Sequence, residues 1–276
     1  PAGADPANPV GETAVLVEPD LPRNFTFAVL RPWRQVNDTI AYNQGILRDT
    51  LAQALINRRL EARARAGGSF LYAQVQQDKV SRSTDATFVS FAPLTADWRA
   101  ALKDVRAVIA DALVRPPSEE ELDREIAEQQ QVFESSVAER SVLAGSRLAD
   151  DIVNAVDIRE AVAAPETVLS VFTGMKDTIT TQQILDSTRR IFSGNVIRAA
   201  YVTPAQGEAT AEDVRAGLLA QVAPDATARL STKPISFSSL PALGKPGAIV
   251  QDAPIGVLDI SRIDFANGVK VLLWPN

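Results

Sequence analysis

The sequence predicts an α+β protein, a mostly antiparallel sheet with helices packed on one face. Three observations carry that expectation. Strand-like segments bounded by Pro come first, a series of capped helical segments fills the middle, and one strand-like segment closes the series.

Residues 1–11 are rich in Pro, Ala and Gly and read as an N-terminal linker. Glu12 to Glu18 and Phe25 to Leu30 have strand composition. A long helix is expected from about Asn37 to Arg65, because Ile40, Leu47, Leu51, Leu55 and Leu60 fall near one helical face. Gly67-Gly68 stops it. Ser69 to Val75 and Thr84 to Phe91 read as a hairpin whose polar loop contains Asp78, Lys79, Ser81 and Arg82. Trp98, Leu102, Val105, Ile109 and Leu113 mark the next helix, which ends at Pro116-Pro117.

Ser118-Glu119-Glu120-Glu121 is a capping box, and opens a helix bearing Leu122, Ile126, Phe133 and Val137. Leu148, Ile152 and Val156 continue the helical period. Pro165 suits the first turn of the helix that holds Val168, Leu169 and Phe172. Thr180 to Gln183 caps another helix, closed by Gly194-Asn195. Val196 to Val202 is a strand, and Thr210 to Asp213 opens a last helix through Leu219. Residues 224–258 show no sustained period and read as linker. Ile260 to Phe265, Asn267-Gly268 and Val269 to Trp274 read as a hairpin with a tight turn.

The chemistry is bounded by two absences. The 276 residues include neither His nor Cys. That removes the commonest zinc ligands, the usual general base near neutral pH, the thiol nucleophile and any disulfide. A net charge of -6, with Lys and Arg scattered along the chain, argues against nucleic acid and against an anionic membrane surface. No apolar run approaches the roughly 20 residues of a membrane helix.

Several stretches, taken in order, resemble the insulinase/pitrilysin family of zinc metalloendopeptidases, the inverzincins. Arg59-Leu60-Glu61-Ala62-Arg63-Ala64-Arg65-Ala66-Gly67-Gly68-Ser69-Phe70-Leu71-Tyr72 is similar to the family's helix end, turn and following strand, with Arg65 and Tyr72 at the family's spacing. Pro117 to Leu122 resembles its Thr/Ser-x-x-Glu-Leu helix opening. Thr180 to Pro204 resembles its closing helix and strand, and Phe265 to Leu273 the Asn-Gly hairpin that begins each half. The likeness covers roughly residues 12–204 and 259–276.

The resemblance implies a metallohydrolase-like domain in a clam of two halves. Residues 12–223 would be the domain of the first half that binds no zinc, 224–258 the linker between halves, and 259–276 the first hairpin of a truncated following domain. Zinc and the general base would come from an H-x-x-E-H motif on a neighbouring domain. No such motif occurs here, so no catalytic residue and no metal ligand is carried over. The expected cofactor is zinc in the full-length protein and none in this chain. Expected partners are a peptide or unfolded polypeptide substrate and the missing domains of the same protein, with no nucleic acid and no membrane insertion. A periplasmic or cell-envelope location is favoured over the cytoplasm, from bacterial relatives and an Ala/Arg-rich composition.

The substrate-binding candidates are Arg65 and Tyr72. A guanidinium can donate two hydrogen bonds to a peptide carbonyl, and a phenol can support an oxyanion. In the family the pair that touches substrate comes from the second half, so these two would be first-half counterparts. The plain alternative is a helix-terminal Arg and a half-buried strand Tyr. Glu119 to Glu121, with Asp123, Glu125 and Glu128, read as a solvated, capped helix start. Asp150 and Asp151 point about 100° apart on a helix and cannot share a proton. Gly67-Gly68 follows a helix and is no phosphate loop. Ser141 and Ser146 have no His partner. Trp33, Trp98 and Trp274 read as packing residues.

Two functions therefore stand open. One is a peptide-positioning domain lining the substrate chamber of a zinc-dependent endopeptidase. The other is a non-catalytic scaffold or subunit-interaction domain of a degenerate family member. An unrelated α+β binding module is a third, weaker reading.

Overall fold

The computed structural model describes residues 9–80, 82–229, 244–256 and 259–274. Linker residues 1–8, Ser81 of the first hairpin loop, residues 230–243 and 257–258 of the second linker, and 275–276 lie outside the described residues. The chain divides into two compact units, residues 1–232 and 233–276.

The first unit runs β1 (Val10–Val17), β2 (Asn24–Pro32), α1 (Ile40–Arg65), β3 (Phe70–Val80), β4 (Thr84–Pro93), α2 (Trp98–Val114) and α3 (Glu119–Glu139). It continues with α4 (Gly145–Ile158), α5 (Pro165–Met175), α6 (Thr181–Ile191), β5 (Val196–Thr203) and α7 (Ala211–Leu219). Its five-stranded sheet has the order β1-β5-β2-β4-β3. Only the outer β1–β5 pair is parallel; the other three pairings are antiparallel. The expected α+β architecture is the one observed.

Register shows why helices cover one face. Phe25 pairs with Phe91 and Tyr201, Phe27 with Val89, and Val75 with Val89, so these side chains share a face. They pack with Ile56 and Leu60 of α1 and with Trp98, Leu102 and Val105 of α2 in one buried core. Phe25 stacks on Phe91 at 5.0 Å and on Trp98 at 5.7 Å. A second core joins Leu51 and Leu55 of α1 to Leu122 of α3, Phe172 and Met175 of α5 and Ile184 of α6. Helix α1 therefore belongs to both cores, one toward each end.

The helix starts follow local chemistry. Ser118, Thr180 and Thr210 each cap a helix in a reciprocal box, with Glu121, Gln183 and Asp213 respectively. Gly67 has φ +87 and ends α1; a side chain at Gly68 would meet the Arg63 carbonyl at 2.9 Å. The intervening turn is pinned from α2, where Asp104 accepts from Ser69 N–H at 3.0 Å and from Arg63 at 3.2 Å.

The second unit is a three-stranded antiparallel sheet, β6 (Ile249–Pro254), β7 (Ser261–Phe265) and β8 (Lys270–Leu273). The β7–β8 hairpin with its Gly268 turn (φ +88) is the expected one.

The structure departs from the sequence reading at several places. The first strand begins at Val10, inside the stretch read as linker, because Val10 is buried and the Pro9 carbonyl accepts from Ile197. Strand β3 runs on to Val80, so Asp78 and Lys79 are strand residues; Lys79 is held there by Tyr42 and Glu160. Strand β6 lies in the segment read as linker between the units. It is six mostly exposed residues without alternation, so its strand character comes from pairing with β7. At the start of that segment, the Asp225 backbone N–H donates to the Ala107 carbonyl at 3.1 Å and the Arg229 guanidinium to Asp111 at 2.9 Å, which clips it to α2. Trp98 is buried, but Trp274 is 60% exposed and does not act as a packing residue.

Candidate functional site

The turn after α1 brings Arg65 and Tyr72 to the same place. They line one open groove of about 770 Å³ between the C-terminal half of α1, the start of β3 and Glu125 of α3. Ala54, Ala64, Ala73 and Leu71 give its lining an apolar part, and Asn57, Arg58, Glu61, Arg65, Tyr72 and Gln74 a polar one. The groove exists because β3 is an edge strand, with no neighbour beyond it in the sheet.

Arg65 is exposed, and its guanidinium pairs with Glu61 one helical turn back. Tyr72 is half exposed, and its hydroxyl accepts a hydrogen bond from Asn24 Nδ2 at 2.9 Å. Between Phe70 and Tyr72 the β3–β4 register slips by one residue. The bulge puts Phe70 in the core yet leaves both Leu71 and Tyr72 exposed in the groove. Neither candidate is tied down by more than one partner, so both can turn toward a bound chain.

The acidic start of α3 is not simply solvated. Glu121 and Glu125 are buried. Arg59 donates to Glu121 through Nε at 3.1 Å and Nη2 at 2.9 Å, and lies 3.6 Å from Asp111 of α2. Arg58 pairs with Glu125 and Glu128. The sequence reading of a solvated cluster is corrected for Glu121 and Glu125, which face two Arg residues of α1, a pairing across the fold that local spacing does not reveal; Glu119, Glu120, Asp123 and Glu128 are exposed. The result is a groove wall whose charges are largely paired.

At the neighbouring end of the sheet, Glu208 accepts from Arg23 (Nε, 2.9 Å), Tyr201 (2.9 Å) and Thr203 (2.6 Å). The Arg23 hydrogen bonds, helped by Thr203 and Tyr201, hold the Glu208 carboxyl down at about 2. Burial, then Glu208 itself, pushes the Tyr201 phenol up to about 12. With its acceptors filled, Glu208 is a structural anion and no general base.

The residues here do not fit a catalytic zinc. Among the described residues no three carboxylates come together as a metal-binding group, and the sequence supplies no imidazole or thiolate. Asp150 and Asp151 are exposed on α4, which buries none of its residues. No described helix is long and apolar enough to cross a membrane.

Sequence reasoning missed Asn57 and Gln53. Asn57 of α1 accepts from the Val75 N–H at 2.7 Å and donates to the Val75 carbonyl at 3.0 Å. Gln53 accepts from the Gln77 N–H at 3.1 Å. The only signal is a pair of amides one turn apart on a helix that precedes an edge strand.

No family model and no curated protein matches the sequence. Solved structures do. The periplasmic protease PqqL from Escherichia coli matches with a TM-score of 0.68 at 13% identity, over 99% of this chain and 30% of that one. A predicted insulinase family protease from Yersinia pestis matches with a TM-score of 0.63 at 13% identity, over 77% of this chain and 46% of that one. The ferredoxin protease FusC, solved in complex with Arabidopsis ferredoxin, matches with a TM-score of 0.59 at 15% identity, over 97% of this chain and 30% of that one. The chain thus spans less than a third of PqqL and of FusC. Its fold is that of a portion of the insulinase-family peptidases.

Proposed function

We propose that this chain is a peptide-positioning domain that lines the substrate chamber of a zinc-dependent endopeptidase, with the metal on a neighbouring domain. The single observation that carries the reading is the groove: a sheet edge with no strand beyond it, beside Arg65 and Tyr72, in a fold shared with peptidases. An extended peptide laid along β3 would pair its backbone with the edge. Arg65 would release Glu61 and donate to a peptide carbonyl, and Tyr72 would donate its hydroxyl proton to a second one. The apolar part of the lining suits small or aliphatic side chains, and its paired charges favour peptides without strong net charge. The chain between α7 and β6 then links two halves, and β6, β7 and β8 open the next one. The periplasmic location of PqqL supports an envelope location here.

A scaffolding role without cleavage draws on one observation. Helix α4 exposes Leu148, Ile152, Val153 and Val156, an apolar stripe that nothing among the described residues buries.

The test is binding of a reduced, unfolded polypeptide to the purified chain, read by fluorescence anisotropy. Arg65→Ala and Tyr72→Ala should each weaken binding several-fold without lowering the melting temperature. Undiminished binding by the double variant would remove the groove from the function.

A further inference from the structure

The free edge of β3 is only partly free. In an antiparallel ladder, alternate residues turn both N–H and C=O toward the partner strand, and the residues between turn theirs away. Val75 gives both groups to Asn57, so the outward set on β3 contains Val75, and by alternation Ala73 and Gln77. Gln77 gives its N–H to Gln53. Asn57 thus does for Val75 what an opposing residue of another strand would do, accepting one hydrogen bond and returning one.

The match has a geometric cause. Four residues of α1 rise about 6 Å. Two residues of β3 advance about 6.6 Å. Side chains at every fourth helical position therefore keep step with every second strand position for a few steps, with helix and strand running in opposite directions. Gln53 meets Gln77 and Asn57 meets Val75. The next step sets Glu61 against Ala73. A carboxylate cannot donate to a carbonyl, and Glu61 is paired with Arg65. At that step the row of amides ends, and the groove, which Ala73, Glu61 and Asn57 all line, begins.

The geometry points to Gln53 and Asn57 as a built-in plug on the β3 edge, a substitute strand that confines an extended peptide to the Ala73 pairing position. This rests on the peptide-positioning reading and sharpens it. Asn57 fixes where the paired part of the peptide stops, so it is a specificity-determining residue. Peptides would be held by a short paired stretch and by what the groove takes from their side chains, and long strand-forming segments would gain nothing from extra length.

The experiment uses a fluorescein-labelled peptide of alternating Thr and Val and measures its anisotropy with the purified chain and four variants. Asn57→Ala opens the Val75 position, and two added backbone hydrogen bonds should tighten binding about tenfold. Glu61→Asn extends the amide row to Ala73 and should bind several-fold more weakly than Glu61→Ala, which frees Arg65 alike but leaves Ala73 open; Glu61 is exposed, so both variants keep their fold. Gln53→Ala frees only one N–H and should have a smaller effect than Asn57→Ala. Binding by the Asn57→Ala variant equal to or weaker than the parent's, with its melting transition intact, overturns the plug. If Asn57→Ala does not fold, equal binding by Glu61→Asn and Glu61→Ala overturns it. Absence of binding by the parent and every variant overturns the peptide-positioning reading itself, a different pattern from failure of the plug alone.

Discussion

Replacing Arg59 by Met should cost this domain a large part of its stability. Arg59 is 3% exposed and sits where α1, α2 and α3 meet. It makes two hydrogen bonds to Glu121 and lies 3.6 Å from Asp111. Met fills much of the same volume but leaves two buried carboxylates short of their cation. Asp111 keeps Arg229 at 2.9 Å and Arg115 at 3.2 Å, so the damage falls mainly on Glu121. Breaking one side of a buried pair costs about 3–5 kcal/mol. For a unit of this size each kcal/mol lowers the melting temperature by about 2–4 °C. The assay is guanidinium unfolding followed by far-UV circular dichroism, in which the midpoint should fall with an unchanged slope. Adding Glu121→Gln neutralises the stranded carboxylate and should restore about half the loss, since Gln can keep the capping box with Ser118. A loss below about 1 kcal/mol, or no recovery in the double variant, would show that water screens the network and that the groove wall is not held as described.

Glu208 gives a pH test. Its folded value, about 2, lies below its ordinary carboxylate value. Its contribution is therefore complete above the unfolded value and disappears as pH falls from about 4.5 to about 2. Removing it with Glu208→Gln should cost about 1–2 kcal/mol at neutral pH and flatten the acid limb of the stability curve; an unchanged limb would refute this. Ile152→Asp on α4 should change stability by less than about 0.5 kcal/mol, because α4 buries none of its residues; a large loss would mean that α4 packs within the unit. Gly194→Ala should destabilise the domain by more than 1 kcal/mol or so, since its new methyl would lie 2.5 Å from the Leu30 carbonyl oxygen; a neutral outcome in thermal unfolding would contradict that contact. Equilibrium dialysis should find no stoichiometric zinc on the purified chain, and one tightly held ion per chain would overturn the assignment of the metal to another domain.

Much of the fold was legible because its signals are local. The boxes at Ser118, Thr180 and Thr210, the Gly67-Gly68 stop and the strand composition of β2 each lie within a few residues. Arg65 and Tyr72 could be placed together for the same reason, since a helix end, a tight turn and a strand start join them. What stayed hidden joins distant positions. Asn57 to Val75, Arg59 to Glu121 and Arg23 to Glu208 depend respectively on how α1 lies beside β3, on how α3 packs on α1 and on the pairing of β2 with β5, and none of these follows from composition or period. Strand β6 stayed hidden because its six residues pair with β7 without showing a buried face of their own.

Amide hydrogen exchange of the chain, with and without a reduced, unfolded polypeptide, tests the central claim most directly. Slowed exchange should appear at Ala73 and along the groove-lining end of α1, with Val75 and Gln77 unchanged because their amides are already held. Protection confined to β1 or α4, with β3 untouched, would place the contact elsewhere and contradict the peptide-positioning groove.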